Sequence, residues 1–154
     1  MKSYQEKIKF RETQSFTLIN LTFSVLFIGF IMLYFLTNGY NKIPFAIFLI
    51  VIAILIVPIL LFYRMKTIVT DRKIIISFGI GIIRITFEKK NLDVSNISTY
   101  KIPWYYGVGI RIAKDGVIYN ASPGKSVKIA KLNSNKYLYI GTKSDTDLTS
   151  ALLE

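Results

Sequence analysis

The stretches FTLINLTFSVLFIGFIMLYFLT (16–37) and IPFAIFLIVIAILIVPILLFY (43–63) contain no charged residue. As a helix rising about 1.5 Å per residue, the first is about 33 Å long. That exceeds the roughly 30 Å of a bilayer's hydrocarbon core. Both are apolar all round, and the remainder of a 154-residue chain is too small to enclose two such helices. Residues 16–63 therefore read as a transmembrane hairpin, with spans at 16–37 and 43–63. The first apolar run is longer than a signal peptide's core of roughly 7–15 residues. No small-residue cleavage site precedes the second span, so the first is read as uncleaved.

The link TNGYN (37–41) carries the turn dipeptide Asn38-Gly39. Lys2, Lys7, Lys9 and Arg11 precede the first span, and Arg64, Lys66, Arg72 and Lys73 follow the second, whereas the link region offers only Lys42. The positive-inside rule places both termini in the cytoplasm. This is the signature of a multi-pass protein of the cell (cytoplasmic) membrane. Tyr34, Tyr40 and Tyr63 fall near the expected interfaces, and Pro58 is expected to bend the second helix. Asn20 and Ser24 share a face of the first span. Helix–helix hydrogen bonding is the expected use, since neither span holds an Asp, Glu, Lys or Arg to mark an ion path.

Residues 1–15 read as a cytoplasmic N-terminal segment and residues 64–154 as a cytoplasmic domain. In the latter, β-rich runs at 66–71, 73–79, 82–88, 94–102, 107–113, 117–121, 126–132 and 137–142 are divided by turn residues. Ile83, Ile85 and Phe87 alternate with Ile82, Arg84 and Thr86, a period of two with one buried face. SDTDLTSALLE (144–154) puts Leu148, Ala151 and Leu152 on one helical face, with Ser144 and Asp147 spaced as a capping box.

The residues KIIISFGIGIIRITF, NLDVSNISTYKIP, Tyr106–Arg111, Tyr119-Asn120, Val127–Ile129, Ile140–Thr142 and the final helix resemble bacterial PH-like (pleckstrin-homology superfold) domains that follow a two-helix hairpin. The resemblance implies an α+β membrane protein: a transmembrane hairpin, then a PH-like β-barrel of seven to eight antiparallel strands with a C-terminal helix. The bacterial domains it resembles are largely of unknown function.

The chemistry is bounded by absences. The chain has no histidine and no cysteine. It therefore lacks the commonest base near neutral pH, the commonest zinc ligand, thiolate chemistry and disulfides. No hydrolase, metalloprotease or calcium-loop motif occurs, and no catalytic, cofactor-binding or metal-binding residue is expected. The paired glycines of WYYGVGIRI (104–112) lead into a strand rather than a helix, so they read as backbone accommodation and not as a phosphate loop.

Net charge is +11. Nucleic acid is not the expected partner, because no nucleic-acid-binding motif is present. The charge suits an anionic bilayer surface. A resemblance to PH domains raises inositol lipids, but the loop that would bind them is only Asp71-Arg72, with no basic cluster. Arg111 is expected either to pair with Asp93 or Asp115 or to offer its fork to a partner. Trp104, Tyr105 and Tyr106 cannot all face a core if extended. Arg111, Trp104, Tyr105 and Lys101 are the candidate lipid or partner contacts. The expected role is non-enzymatic: a domain held at the membrane for protein binding or self-assembly. Phospholipid-headgroup sensing is the alternative, and a small transporter or channel subunit the weaker one.

Overall fold

A computed structural model describes residues 6–37, 43–132 and 134–154. The expected turn at Asn38-Gly39, with Tyr40 and Lys42, lies outside the described residues. The first element is a strand, β1 (Ile8–Ser15), followed by helices α1 (Thr17–Thr37) and α2 (Phe45–Phe62). Strands β2 (Arg64–Thr70), β3 (Lys73–Phe78), β4 (Ile83–Glu88), β5 (Leu92–Ile102), β6 (Gly109–Ala113), β7 (Gly116–Asn120), β8 (Gly124–Lys131) and β9 (Tyr137–Gly141) come next. Helix α3 (Asp145–Leu153) closes the chain.

Both α1 and α2 are long and apolar enough to cross a membrane, and no part of either apolar window is buried. That separates them from the core helices of a soluble protein. They meet through aromatic stacking, with Phe48 against Tyr34 at 4.0 Å and against Phe30 at 5.7 Å. The hydroxyls of Thr22 and Thr37 donate to the carbonyls of Leu18 and Leu33 one turn back, so these polar groups are satisfied within the helix.

Strand β1 corrects the sequence reading, which left residues 1–15 outside the folded domain. It pairs antiparallel with β2 from Ile8↔Thr70 to Ser15↔Arg64. The helical hairpin is thus an insertion between two neighbouring strands, with one residue between β1 and α1 and one between α2 and β2. The Tyr63 carbonyl ties the two junctions together. It accepts from the Phe16 N–H (3.3 Å), the Asn20 side-chain amide (2.9 Å) and the Ser15 hydroxyl (3.3 Å).

The strands form two sheets, ordered β1-β2-β3-β4 and β5-β8-β9-β7-β6. The single barrel of seven to eight antiparallel strands is therefore met only in part. Among the described residues there are nine strands, the sheets do not close on each other, and β7 pairs parallel with β9. The parallel pair has a topological cause. β9 returns between β8 and β7, and a strand antiparallel to β8 must there run alongside β7.

One core lies between the sheets, built from Met65, Val69, Ile74, Ile76 and Phe78 on one side and Val127, Ile129, Leu138 and Ile140 on the other. Helix α3 adds Leu148, Ala151 and Leu152. Ile83, Ile85 and Phe87 are half-buried, with Arg84 and Thr86 outward, as the alternation requires. The expected capping box does not form. Ser144 makes no side-chain cap, and its own N–H donates to the Thr142 hydroxyl (3.1 Å), which takes the place intended for Asp147.

Candidate functional site

The strand register decides which side chains share a face. Arg111 stands opposite Ile118, Ile118 opposite Tyr139, Tyr139 opposite Lys128, and Lys128 opposite Ser98. Opposed residues point the same way, so this row crosses the outer face of the five-stranded sheet. Tyr100 lies two residues from Ser98 and joins it.

The face is aromatic. The Tyr100 and Tyr139 rings meet edge-on at 5.2 Å, and Tyr137 and Tyr139 lie 6.3 Å apart. Lys128 Nζ sits 3.7 Å from the centre of the Tyr137 ring. Tyr139 donates to the Asp115 carboxylate at 2.5 Å, and Lys128 completes the group 3.8 Å from the same carboxylate. Burial and the Asp115 charge hold the Tyr139 hydroxyl well above the usual tyrosine range. Burial also raises Tyr100, with help from Tyr106, Tyr105 and Asp115.

The segment Trp104–Tyr106 rims this face. It is a 3₁₀ turn. Its rings follow one another at 6.2 Å (Trp104 to Tyr105) and 5.2 Å (Tyr105 to Tyr106). Gly107 ends the turn at φ 72°, donating its N–H to the Trp104 carbonyl at 3.0 Å. A side chain there would be strained in the left-handed region, although its Cβ would only touch the Arg111 guanidinium, at 3.4 Å. The glycine pair accordingly serves backbone geometry, Gly107 ending the turn and Gly109 opening β6.

Asn120 fixes the turn from behind. It is fully buried, and its amide donates to the Gly107 carbonyl (3.0 Å) and the Ser122 carbonyl (3.2 Å). Nothing in the sequence marked that role, because an asparagine at a strand end looks like any turn former.

The four candidate residues are partly united. Trp104, Tyr105 and Arg111 are exposed. Arg111 lies within 4 Å of neither Asp93 nor Asp115. Asp93 accepts from Ser95, and Asp115 is occupied by Tyr139 and Lys128. Among the described residues no carboxylate forms an ion pair with Arg111. Lys101 projects from the other side of β5, opposite Lys125, and meets only Trp104, across a hollow shared with Pro103, Pro123 and Gly124.

The Asp71-Arg72 turn joins β2 to β3 at the end of the sheet away from α1 and α2. Asn20 gives its amide to the Tyr63 carbonyl, a packing use. No group of three or more metal-ligating side chains occurs among the described residues. Compared with models of known families, with curated proteins and with solved structures, the chain matches none.

Proposed function

We propose that this chain is a non-enzymatic integral membrane protein. Its two helices cross the cytoplasmic membrane as a hairpin with both termini inside, and its β-domain offers the Tyr100/Tyr105/Tyr106/Arg111 face to a protein partner. The single observation that carries this reading is the composition of that face. Tyrosine, tryptophan and arginine are the residues enriched at the energetic centres of protein interfaces. Here Tyr100 and Arg111 stand on strands and Trp104–Tyr106 on the 3₁₀ turn between them, with Arg111 exposed and unpaired among the described residues. The partner is one that places a carboxylate opposite Arg111, either a second copy or another protein.

The sidedness rests on the charge flanks and on β1, because pairing with β2 holds both ends of the hairpin on one side of any bilayer it crosses. We also propose kinship with the PH-like plan. The four-stranded sheet, second sheet and C-terminal helix support it, and the open sheet edges and the parallel pair depart from it.

The test is photocrosslinking in intact membranes from a probe replacing Tyr105, with Lys136 as the distant control. The expected result is a discrete protein adduct from position 105 alone, lost with Arg111→Ala. Lipid adducts without a protein adduct would favour the second reading, headgroup recognition. That reading draws on the same unpaired guanidinium, since phosphate matches its fork as well as carboxylate does.

A further inference from the structure

We propose that the helix-side rim of the β-domain is itself a bilayer-binding surface. Ile80 and Ile82 on the β3–β4 turn, and Trp104 on the β5–β6 connection, occupy the interfacial zone of the membrane that α1 and α2 cross. This rests on the spanning reading given above.

The level of the rim follows from the length of α2. Its 18 residues make about 27 Å of helix, no more than the roughly 30 Å hydrocarbon core. The whole helix is needed to cross, so its last turn lies at the edge of the core. Leu60 belongs to that last turn, and the Ile80 N–H donates to the Leu60 carbonyl at 3.2 Å. Gly79 packs directly on the carbonyls of Leu60 and Leu61. The β3–β4 turn is therefore level with the end of the span.

Trp104 is placed in the same way from the other helix. It lines an apolar groove of about 320 Å³ with Phe16, Leu18, Ile19 and Val108, at the first turn of α1. Ile80, Ile82 and Trp104 are 56%, 71% and 80% exposed. Facing water, three such side chains on two loops that each meet a helix end would be an exposed apolar rim. At the interfacial level they occupy the zone that tryptophan prefers and that suits apolar groups beside cations.

Charge agrees. Arg64 and Arg84 flank the turn and are exposed, and Lys101 stands beside Trp104. Glu6, Asp71, Glu88, Asp93, Asp115 and Glu154 lie toward the opposite end of the strands, whereas Asp145, near the rim end of β8, is neutralised by Lys125 at 3.0 Å and Glu12 is held by Thr142 and Lys143. The surface turned to an anionic bilayer is thus cationic and apolar, and the mixed-charge end faces away from it.

The composition of the chain makes the test clean, with one tryptophan and no cysteine. The full chain is reconstituted in phosphatidylcholine/phosphatidylglycerol vesicles, with and without acyl-chain-brominated phosphatidylcholine. Trp104 emission should be lost to the bromolipid and shielded from aqueous acrylamide. The Trp104→Phe/Tyr137→Trp double variant, reporting from the far end, should show the reverse. An environment-sensitive dye on Ile82→Cys should shift to the blue on reconstitution. The same dye on Ile112→Cys, from a side chain 90% exposed at the far end of β6, should not. Trp104 quenched by acrylamide alone, with no shift at position 82, would overturn the rim in a protein that resists carbonate extraction. Release by carbonate would bring down the spanning reading and the rim with it.

Discussion

Gly79→Ala should be far more damaging than its place in a surface turn suggests. Gly79 has φ +58°, and a Cβ built there would lie 2.0 Å from the Leu60 carbonyl oxygen and 2.5 Å from that of Leu61. The left-handed conformation alone costs alanine about 1–2 kcal/mol. The overlap is with backbone, so the turn must move by about an ångström or more to restore ordinary contact. Such a shift breaks the Ile80–Leu60 bond (3.2 Å) and strains the one from the Gly79 N–H to the Arg64 carbonyl (2.8 Å). Each is worth about 0.5–1.5 kcal/mol net. The sum is about 2–5 kcal/mol. Gly81 supplies the internal control, because its φ is +97° but nothing lies within 4 Å of its Cβ position. Gly81→Ala should cost only the conformational part. Thermal unfolding in detergent, followed by Trp104 fluorescence, should rank Gly79→Ala well below Gly81→Ala. The separation should be several degrees, at roughly 4–8 °C per kcal/mol for a domain of this size. Equal midpoints would refute the close seating of the sheet on α2.

Three further outcomes follow from the geometry. Asn20→Leu removes the amide bond to Tyr63 but also an amide oxygen that is buried without a partner, so it should cost about 1 kcal/mol or less. Asn20→Asp turns a carboxylate on the same carbonyl and should be clearly worse in the same detergent unfolding assay. At alkaline pH, Tyr139 holds its proton above the ordinary tyrosine value, which is about 10. The folded state then binds the extra proton, so stability falls as pH rises past about 10. Tyr139→Phe should flatten that limb in urea titrations across it. At acid pH the opposite sign holds for Asp145. Its hydrogen bond from Lys125 lowers its pKa, so its contribution is present above the usual aspartate value and lost as pH falls through the lowered one. The pair lies at the surface with the Lys125 side chain largely exposed, so Lys125→Met should move the acid limb only slightly, as circular dichroism on acid titration would register.

The sequence made the two helices and most strand centres legible, because both rest on local periodicity. Uninterrupted apolar runs announced α1 and α2, and the alternation at Ile83–Phe87 announced β4 with its correct inner face. Strand β1 escaped because IKFRETQS is an edge strand whose inward positions are largely polar. Glu12 reaches the Thr142 hydroxyl and the Lys143 N–H, and Gln14 the Gly141 carbonyl, partners more than a hundred residues away. Such a strand has no hydrophobic signature to detect. The candidate site was legible as a list and not as a surface. Trp104, Tyr105 and Arg111 stood out by type, but the register that assembles Tyr100, Tyr137 and Tyr139 behind them depends on β9 entering between β8 and β7. Lys101 also needed the register, since one step along β5 reverses the face and sets it beside Trp104 and away from the Arg111 row. Ile80 and Ile82 looked like the ordinary close of a hairpin. Only their contact with the end of α2 gives them a level relative to a membrane.

The most direct test of the membrane hairpin is the sidedness of two introduced cysteines in an otherwise cysteine-free chain. Lys7→Cys lies just before β1 and Lys136→Cys just before β9, both at exposed positions. A membrane-impermeant maleimide should leave both untouched in intact cells and label both in inverted membrane vesicles. Labelling of the two from opposite sides, or of either from outside the cell, would contradict a hairpin whose two ends are joined by the β1–β2 pairing on the cytoplasmic face.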